Sequence, residues 1–372
     1  MDTVKILHTG DIHIGAEESF LGEKAEIRRR ETLLTFERII DLGVENKAHL
    51  ILVAGDLFHS NNIESSFIDA VLSKIKSCSI PVLYVAGNHD PLNASSPFRK
   101  FAIPENLYIF GTDETVFTFE DLGVKVFGHS FESSFLKGKS IPDLKGDDCY
   151  INISLLHGEL TTDLNSPYNA ITKEYILASN MDYIALGHIH KRSDIGKIGD
   201  THFAYCGCPE GQGFDELDVK GVYIGEIGKN FCDLQFIPTS KRCHLEEKID
   251  VSNSDDVVRT VLDILEEKYG ENYGDHLYKI KLLGEVVQDD NLDIADITAR
   301  LSEKLYFVKV RDNRNKKIDL ETLAKEKSLK GIFVKKMLEK SANATEEEKQ
   351  IIKKALNLGL RAFKTEVKYD EN

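Results

Sequence analysis

Long apolar runs are missing from this 372-residue sequence. No stretch of about 18 apolar residues occurs, so no membrane span is expected. The N-terminus, Met1-Asp2-Thr3-Val4-Lys5-Ile6-Leu7, enters a strand without a charged segment and a long apolar one after it, so no signal peptide is expected. Cysteine is sparse and scattered: six residues over 165 positions, with only Cys206 and Cys208 close together. That spacing excludes a disulfide framework and fits a reduced, cytoplasmic setting. Cys206 and Cys208 can either ligate a metal or share one side of a strand. Repeats and low-complexity tracts are also missing. Positive charge is the minority sign, with 47 Lys+Arg against 62 Asp+Glu and a net charge of −15. The deficit is uneven: residues 311–372 hold 16 Lys/Arg against 11 Asp/Glu, a balance of +5, so the remainder carries −20. An acidic body argues against a broad, non-specific nucleic-acid coat but leaves room for a local basic groove.

What is present is a globular composition, 41% hydrophobic, on a chain longer than one average core. Two domains and a tail are expected. The most informative stretch is Leu50-Ile51-Leu52-Val53-Ala54, followed by Gly55-Asp56-Leu57-Phe58-His59. A continuous apolar run reads as a strand buried on both faces. Its end at Gly-Asp puts a carboxylate on the rim of a sheet, where open α/β sheets place their sites. Strands are expected at 4–9, 50–54 and 81–86, with helices over 26–47 and 64–77 between them. Helical crossovers imply parallel pairing. In the first helix Leu33, Phe36, Ile40 and Val44 form the apolar stripe, and Arg28, Arg29 and Arg30 fall on other faces. Residues 16–25 read as a polar loop. Short strands near 107–110, 115–119 and 123–128 suit hairpins or a second sheet. Strands at 151–156 and 182–186 follow, with more near 202–206, 220–227 and 231–237. From about 245 to 310 the order strand–helix–strand–helix–strand marks a small α+β domain. Beyond 319 a Lys/Glu-rich helical pair is expected, the second helix starting at Thr345 with a capping box.

Five of these strands end in polar groups of one kind: Asp11 with His13, Asp56, Asn88 with His89, His157, and His188 with His190. Singly each is an ordinary turn. Together they offer carboxylate, imidazole and amide oxygen, the donor set for Mn, Fe or Zn. Seven donors exceed the four of a structural zinc site. They suit two ions sharing a carboxylate, an arrangement that clamps attacking and leaving oxygens in displacement at phosphorus.

The order Asp-x-His, Gly-Asp, Gly-Asn-His-Asp, a lone His, then Gly-His-x-His resembles the calcineurin-like metallophosphoesterase superfamily over roughly residues 4–240. Gly10-Asp-Ile-His13, Ala54-Gly-Asp-Leu-Phe-His59 and Ala185-Leu-Gly-His-Ile-His190 resemble its SbcD-type DNA repair exonucleases. Pro209 through Phe214-Asp215-Glu216 and Lys220-Gly221 are most similar to the YhaO-type proteins. The resemblance implies an α/β fold: a metallophosphoesterase β-sandwich flanked by helices (1–243), a small α+β capping domain (244–318), and a C-terminal helical partner-binding region (319–372). It implies that Asp11, His13, Asp56 and His190 hold one ion and that Asp56, Asn88, His157 and His188 hold the other. Manganese is the implied metal; donor type alone leaves Fe and Zn open. His89 is then the proton donor or charge stabiliser, Asp90 orients His89 through its second ring nitrogen, and His59 touches the substrate phosphate. DNA is the implied substrate, and an SbcC-like coiled-coil ATPase the implied partner through the C-terminal helices. A homodimer through the first two helices is a further possibility. Two other functions fit the same motifs: a phosphodiesterase or phosphatase for small molecules or phosphoproteins, and a metal-bound scaffold without nuclease activity.

Overall fold

The computed structural model describes residues 3–113, 115–136, 144–252, 254–286, 292–316, 320–342 and 344–363. It divides into two compact units. The first comprises Met1–Glu246, Asn272–Lys279 and Leu305–Phe307.

In chain order the first unit runs β1 (Thr3–Thr9), α1 (Ala25–Glu45), β2 (Leu50–Ala54), α2 (Ser65–Ser77), β3 (Val82–Val85) and β4 (Leu107–Ile109). It continues with β5 (Thr115–Phe119), β6 (Val124–His129), β7 (Ile151–His157), β8 (Glu159–Leu160), β9 (Ala170–Ile171) and α3 (Lys173–Ser179). Next come β10 (Tyr183–Gly187), β11 (Gly196–Ile198), β12 (Thr201–Tyr205), β13 (Gly221–Gly228) and β14 (Phe231–Pro238). Two six-stranded sheets result, ordered β14-β13-β1-β2-β3-β4 and β11-β12-β10-β7-β6-β5. The β1–β4 strands are mutually parallel, as the helical crossovers require. The second sheet is parallel through β6, β7, β10 and β12.

The continuous apolar strands are explained by their layers. Leu50, Leu52 and Ala54 pack with Ile153, Leu155, Tyr183 and Ala185 between the sheets. Ile51 and Val53 face the other way, onto Phe36, Ile39 and Ile40 of α1 and Val71 and Ile75 of α2. The outer face of the second sheet buries Leu156, Ile184 and Leu186 under Ile176 of α3. With α/β/β/α layering, both faces of the central strands are dry, so alternation is lost from the sequence.

Two local expectations change. Residues Ser19–Lys24 form a 3-10 turn rather than a plain polar loop, with Leu21 and Glu18 buried. Arg28, expected on a polar face of α1, is 1% exposed. It donates to Glu18 at 3.0 Å, Glu31 at 3.1 Å and Glu210 at 2.9 Å, and to the Gly211 carbonyl at 2.7 Å. Arg242 completes the cluster on Glu31 at 2.8 Å. Charge balance is what permits this burial. Replacing Arg28 by Met removes the buried cation that Glu18, Glu31 and Glu210 share, leaving Glu31 to Arg242 and Lys241, and is expected to cost about 3–5 kcal/mol, read as a lowered urea midpoint; an unchanged midpoint contradicts the assignment. Burial alone would raise the Glu31 carboxyl, but hydrogen bonds from Arg242 and Lys241 hold it down at about 2. A carboxyl held below its unfolded value stabilises the fold above that value. Stability from Glu31 is therefore present above roughly pH 4.3 and is lost as pH falls towards about 2.

The second unit comprises Glu247–Glu271, Ile280–Lys304 and the chain from Val308 onward. The elements from His244 onward are β15 (His244–Asp250), α4 (Val257–Tyr269), β16 (Leu277–Leu283), β17 (Glu285–Val286), α5 (Ile294–Ser302), β18 (Phe307–Asp312), β19 (Asn315–Lys316), α6 (Leu320–Lys325), α7 (Leu329–Ala342) and α8 (Glu346–Ala362), of which the first residues of β15, β16 and β18 count with the first unit. A three-stranded sheet has the order β15-β16-β18. Asp256 and Asp293 cap α4 and α5 by accepting from the first free amides. Thr345 and Glu348 form the capping box reciprocally. The expected helical pair is present as α7 and α8, preceded by the short α6. Leu323, Val334, Leu356 and Leu360 form the small apolar cluster among them. Residues 319, 343 and 364–372 of the expected C-terminal region, and residues 253, 287–291, 317 and 318 of the expected capping domain, lie outside the described residues.

Candidate metal centre

His157 closes β7 and every other candidate ligand follows a strand, placed by the turn after it. Asp11, His13, Asp56 and His188 all have positive φ, at 49°, 52°, 49° and 97°. Non-glycine residues rarely adopt that region, and such strain clusters at functional sites. The turns lock one another. The Asp11, His13 and Ile14 amides donate to the carbonyls of Gly55, Asp56 and Leu57 at 3.0, 2.9 and 2.9 Å. Two glycines allow the close approach. A Cβ on Gly55 would lie 2.3 Å from the His157 ring, and one on Gly87 would lie 2.1 Å from Asp56 Oδ1. The donors do not share a single sheet edge, as a simple parallel sheet would have it. Asp11, His13, Asp56 and Asn88 come from the first sheet and His157, His188 and His190 from the second. Gly187 pairs with His157 across β10 and β7, which brings His188 beside it.

The structure brings all seven together. His13 Nε2 lies 3.1 Å from His190 Nε2 and 3.6 Å from Asp56 Oδ2. His157 Nε2 lies 3.4 Å from the same Asp56 oxygen and 3.0 Å from Asn88 Oδ1. His188 Nδ1 is 3.2 Å from Asn88 Oδ1. Asp11 accepts from the His188 amide at 2.9 Å. One oxygen of Asp56 thus faces both histidine groups. Donor atoms of Asp11, His13 and His190, and of Asp11, Asp56 and His157, each fall within 4.8 Å of one another.

The residues fit divalent ions on chemical grounds. Asp11 and Asp56 are 0% and 1% exposed. Among the described residues neither is paired with lysine or arginine, only with histidine. Buried carboxylates without a compensating cation are unfavourable. His157 Nδ1 donates to the Ala54 carbonyl at 2.9 Å, so in the neutral ring the Nε2 lone pair points at acceptor oxygens. A cation between them satisfies every group. Without one, protons compensate. Burial opposes a charge on His157, but Asp56 outweighs it and raises the ring to about 9. Burial likewise raises Asp56, yet His157 and His13 hold it below the usual carboxylate range. Burial pushes Asp11 up, and pushes His13 down to about 3 and His188 down to about 4.

His89 and His59 lie on the open side of this cluster, both exposed. The ring centroids of His13 and His89 are 4.6 Å apart, and those of His59 and His89 are 5.1 Å apart. His89 Nδ1 donates to the His59 carbonyl at 3.0 Å, which leaves Nε2 free. This corrects the part expected of Asp90. Asp90 is buried and turned inward, accepting from the amides of Gly87 at 2.9 Å and Phe58 at 3.0 Å. A backbone carbonyl, not Asp90, sets the His89 ring. Asp90 instead ties the Asn88–His89 turn to the loop after β2. Cys206 and Cys208 are both buried; Cys208 Sγ donates to the His190 carbonyl at 3.5 Å. Glu216 accepts from His190 Nδ1, a contact no strand-end pattern marks.

Residues 4–192 match the calcineurin-like phosphoesterase family. The chain belongs to that family. It therefore stands among metal-dependent phosphoesterases, whose site is dinuclear. It is 28% identical over 245 residues to the uncharacterized metallophosphoesterase YhaO of Bacillus subtilis, covering 62% of this chain and 59% of that protein. It is 25% identical over 372 residues to the DNA double-strand break repair protein Mre11 of Saccharolobus solfataricus, covering 94% and 93%. The Mre11 protein of Haloferax volcanii is 23% identical over 263 residues, covering 68% and 56%. The matched segment of this phosphoesterase thus spans less than two thirds of the Bacillus subtilis and Haloferax volcanii proteins. No helix among its described residues is long and apolar enough to cross a membrane.

Proposed function

We propose that this phosphoesterase hydrolyses DNA phosphodiester bonds as a manganese-dependent exonuclease, the cytoplasmic nuclease subunit of a DNA-repair complex with an SbcC-like ATPase. The observation that carries the reading is Asp56 Oδ2, shared between the His13 and His157 groups. Asp11, His13, Asp56 and His190 would hold one ion, and Asp56, Asn88, His157 and His188 the other. When bound, the two ions supply Lewis acidity for in-line displacement at phosphorus. The chain does the rest. Asp56 keeps both groups in register. His89 presents Nε2 to the open side, where the ring, when doubly protonated, would pass the Nε2 proton to the leaving oxygen and revert to the neutral Nδ1–H form. His59, beside it, meets the substrate phosphate. Support for DNA comes from the Mre11 relatives named for double-strand break repair, one matched over 94% of this chain. Residues 244–318 would cap the DNA groove. Residues 319–372 would dock the ATPase, a reading supported by Leu329 at 73% and Ile351 at 66% exposure. A homodimer through α1 and α2 belongs to the same reading.

The test is nucleotide release from linear double-stranded and single-stranded DNA, beside a chromogenic phosphodiester, with and without Mn2+. DNA degradation that EDTA abolishes and Mn2+ restores is expected. The net charge of −15 favours the second reading, a phosphoesterase for small molecules or phosphoproteins. Hydrolysis of the small ester alone would select it. Neither activity, with two ions bound, would select a scaffold.

A further inference from the structure

His190 is held more firmly than any strand-end pattern implies. Its carbonyl accepts from the Cys208 amide at 3.2 Å and from Cys208 Sγ at 3.5 Å. Its ring Nδ1 meets a carboxylate oxygen of Glu216. The other Glu216 oxygen accepts from the Gln212 amide at 2.8 Å and faces Cys208 Sγ at 3.5 Å. The Glu216 amide in turn donates to the Gly213 carbonyl at 3.0 Å. This loop is anchored from below. Glu210, fully buried, accepts from Arg28 at 2.9 Å, from Thr35 Oγ1 at 2.8 Å and from the Lys241 amide at 2.9 Å. Glu216 therefore sits on a loop that buried charges fix, and its carboxylate is already aimed at one nitrogen of one histidine.

A carboxylate only accepts, so the proton of the neutral ring lies on Nδ1 and the lone pair on Nε2. Nε2 is the atom that lies 3.1 Å from His13 Nε2, inside the donor cluster. We propose that Glu216 is the positioning residue for His190: it selects the Nδ1–H tautomer, aims Nε2 at the ion shared with Asp11 and His13, and raises the donor strength of the ring. The proposal rests on His190 being a ligand. Carboxylate–histidine pairs of this kind tune the metal from outside its ligand shell, and losing one typically weakens affinity about 10–100-fold. The effect is one-sided. Among the described residues Glu216 reaches no side chain of the Asn88, His157 and His188 group, so only one of the two ions depends on it.

Two measurements test this. In wild-type protein carrying 15N-histidine and loaded with 113Cd2+, His190 is assigned by its absence from His190→Gln. Cadmium coupling at Nε2 with a proton retained on Nδ1 is expected, and coupling at Nδ1 overturns the proposal. Mn2+ titrations of wild type, Glu216→Gln, Glu216→Ala and His190→Gln form the second arm. Glutamine can still accept from the Gln212 amide, so a purely structural loop role survives in Glu216→Gln. The proposal expects that variant to bind one ion at least about 10-fold more weakly and the other normally. Wild-type affinity at both sites in Glu216→Gln overturns it, even if Glu216→Ala is impaired. Wild-type affinity at both sites in His190→Gln overturns instead the ligand reading beneath it.

Discussion

Asp56→Asn is expected to lower phosphodiester hydrolysis by about three decades or more, the equivalent of the several kcal/mol a shared ion pair contributes to the transition state. The change removes charge and almost nothing else. Asparagine tolerates the left-handed φ of 49° found at Asp56, and its side-chain oxygen can still accept from the His89 amide, as Oδ1 does at 2.9 Å. The loss falls on Oδ2, which faces His157 and His13 from one point. Both ions should weaken together in a Mn2+ titration of this variant. Weakening of one alone would mean that Asp56 serves a single group and that no carboxylate bridges them.

His89→Ala should separate turnover from binding. Loss of a positioned proton donor typically costs about 10²–10⁴ in rate. The ring is exposed, its Nδ1 is committed to the His59 carbonyl, and its Nε2 is free. Metal content by elemental analysis should stay at the wild-type level while the rate on DNA and on a chromogenic diester falls. The structure supplies a rival arrangement that makes this test sharp. Nitrogens of His13, His59 and His89 also lie within 4.8 Å of one another, close enough to hold an ion of their own. Loss of an ion in His89→Ala would favour that grouping and end the proton-donor role.

Much of the site could be read from the chain because its logic is local. The apolar run Leu50–Ala54 is buried on both faces and ends at Gly55, and Ile151–Leu156, buried on both faces although it carries Asn152 and Ser154, ends at His157. Periodicity and composition report that directly. What they do not report is which carboxylate meets which cation across the fold. Arg28 looked like one of three arginines on the polar side of α1, yet Glu210, 182 residues away, buries it. Glu216 lay in a stretch notable only for resemblance, because its partner His190 is on another loop. Asp90 failed for the opposite reason. Its neighbour in sequence is His89, but the turn aims its side chain at the amides of Gly87 and Phe58, so adjacency misled. The sheet arrangement was hidden in the same way. Strand ends announce ligands, but only the pairing of Gly187 with His157 shows that the second sheet supplies three of the seven.

The account turns on two ions sharing one carboxylate, and anomalous diffraction at the manganese edge from Mn2+-loaded crystals tests that directly. Two peaks are predicted, one beside Asp11, His13 and His190 and one beside Asn88, His157 and His188, with Asp56 between them. A single peak, or a second one among His13, His59 and His89 with Asp56 bound to one ion only, would contradict it.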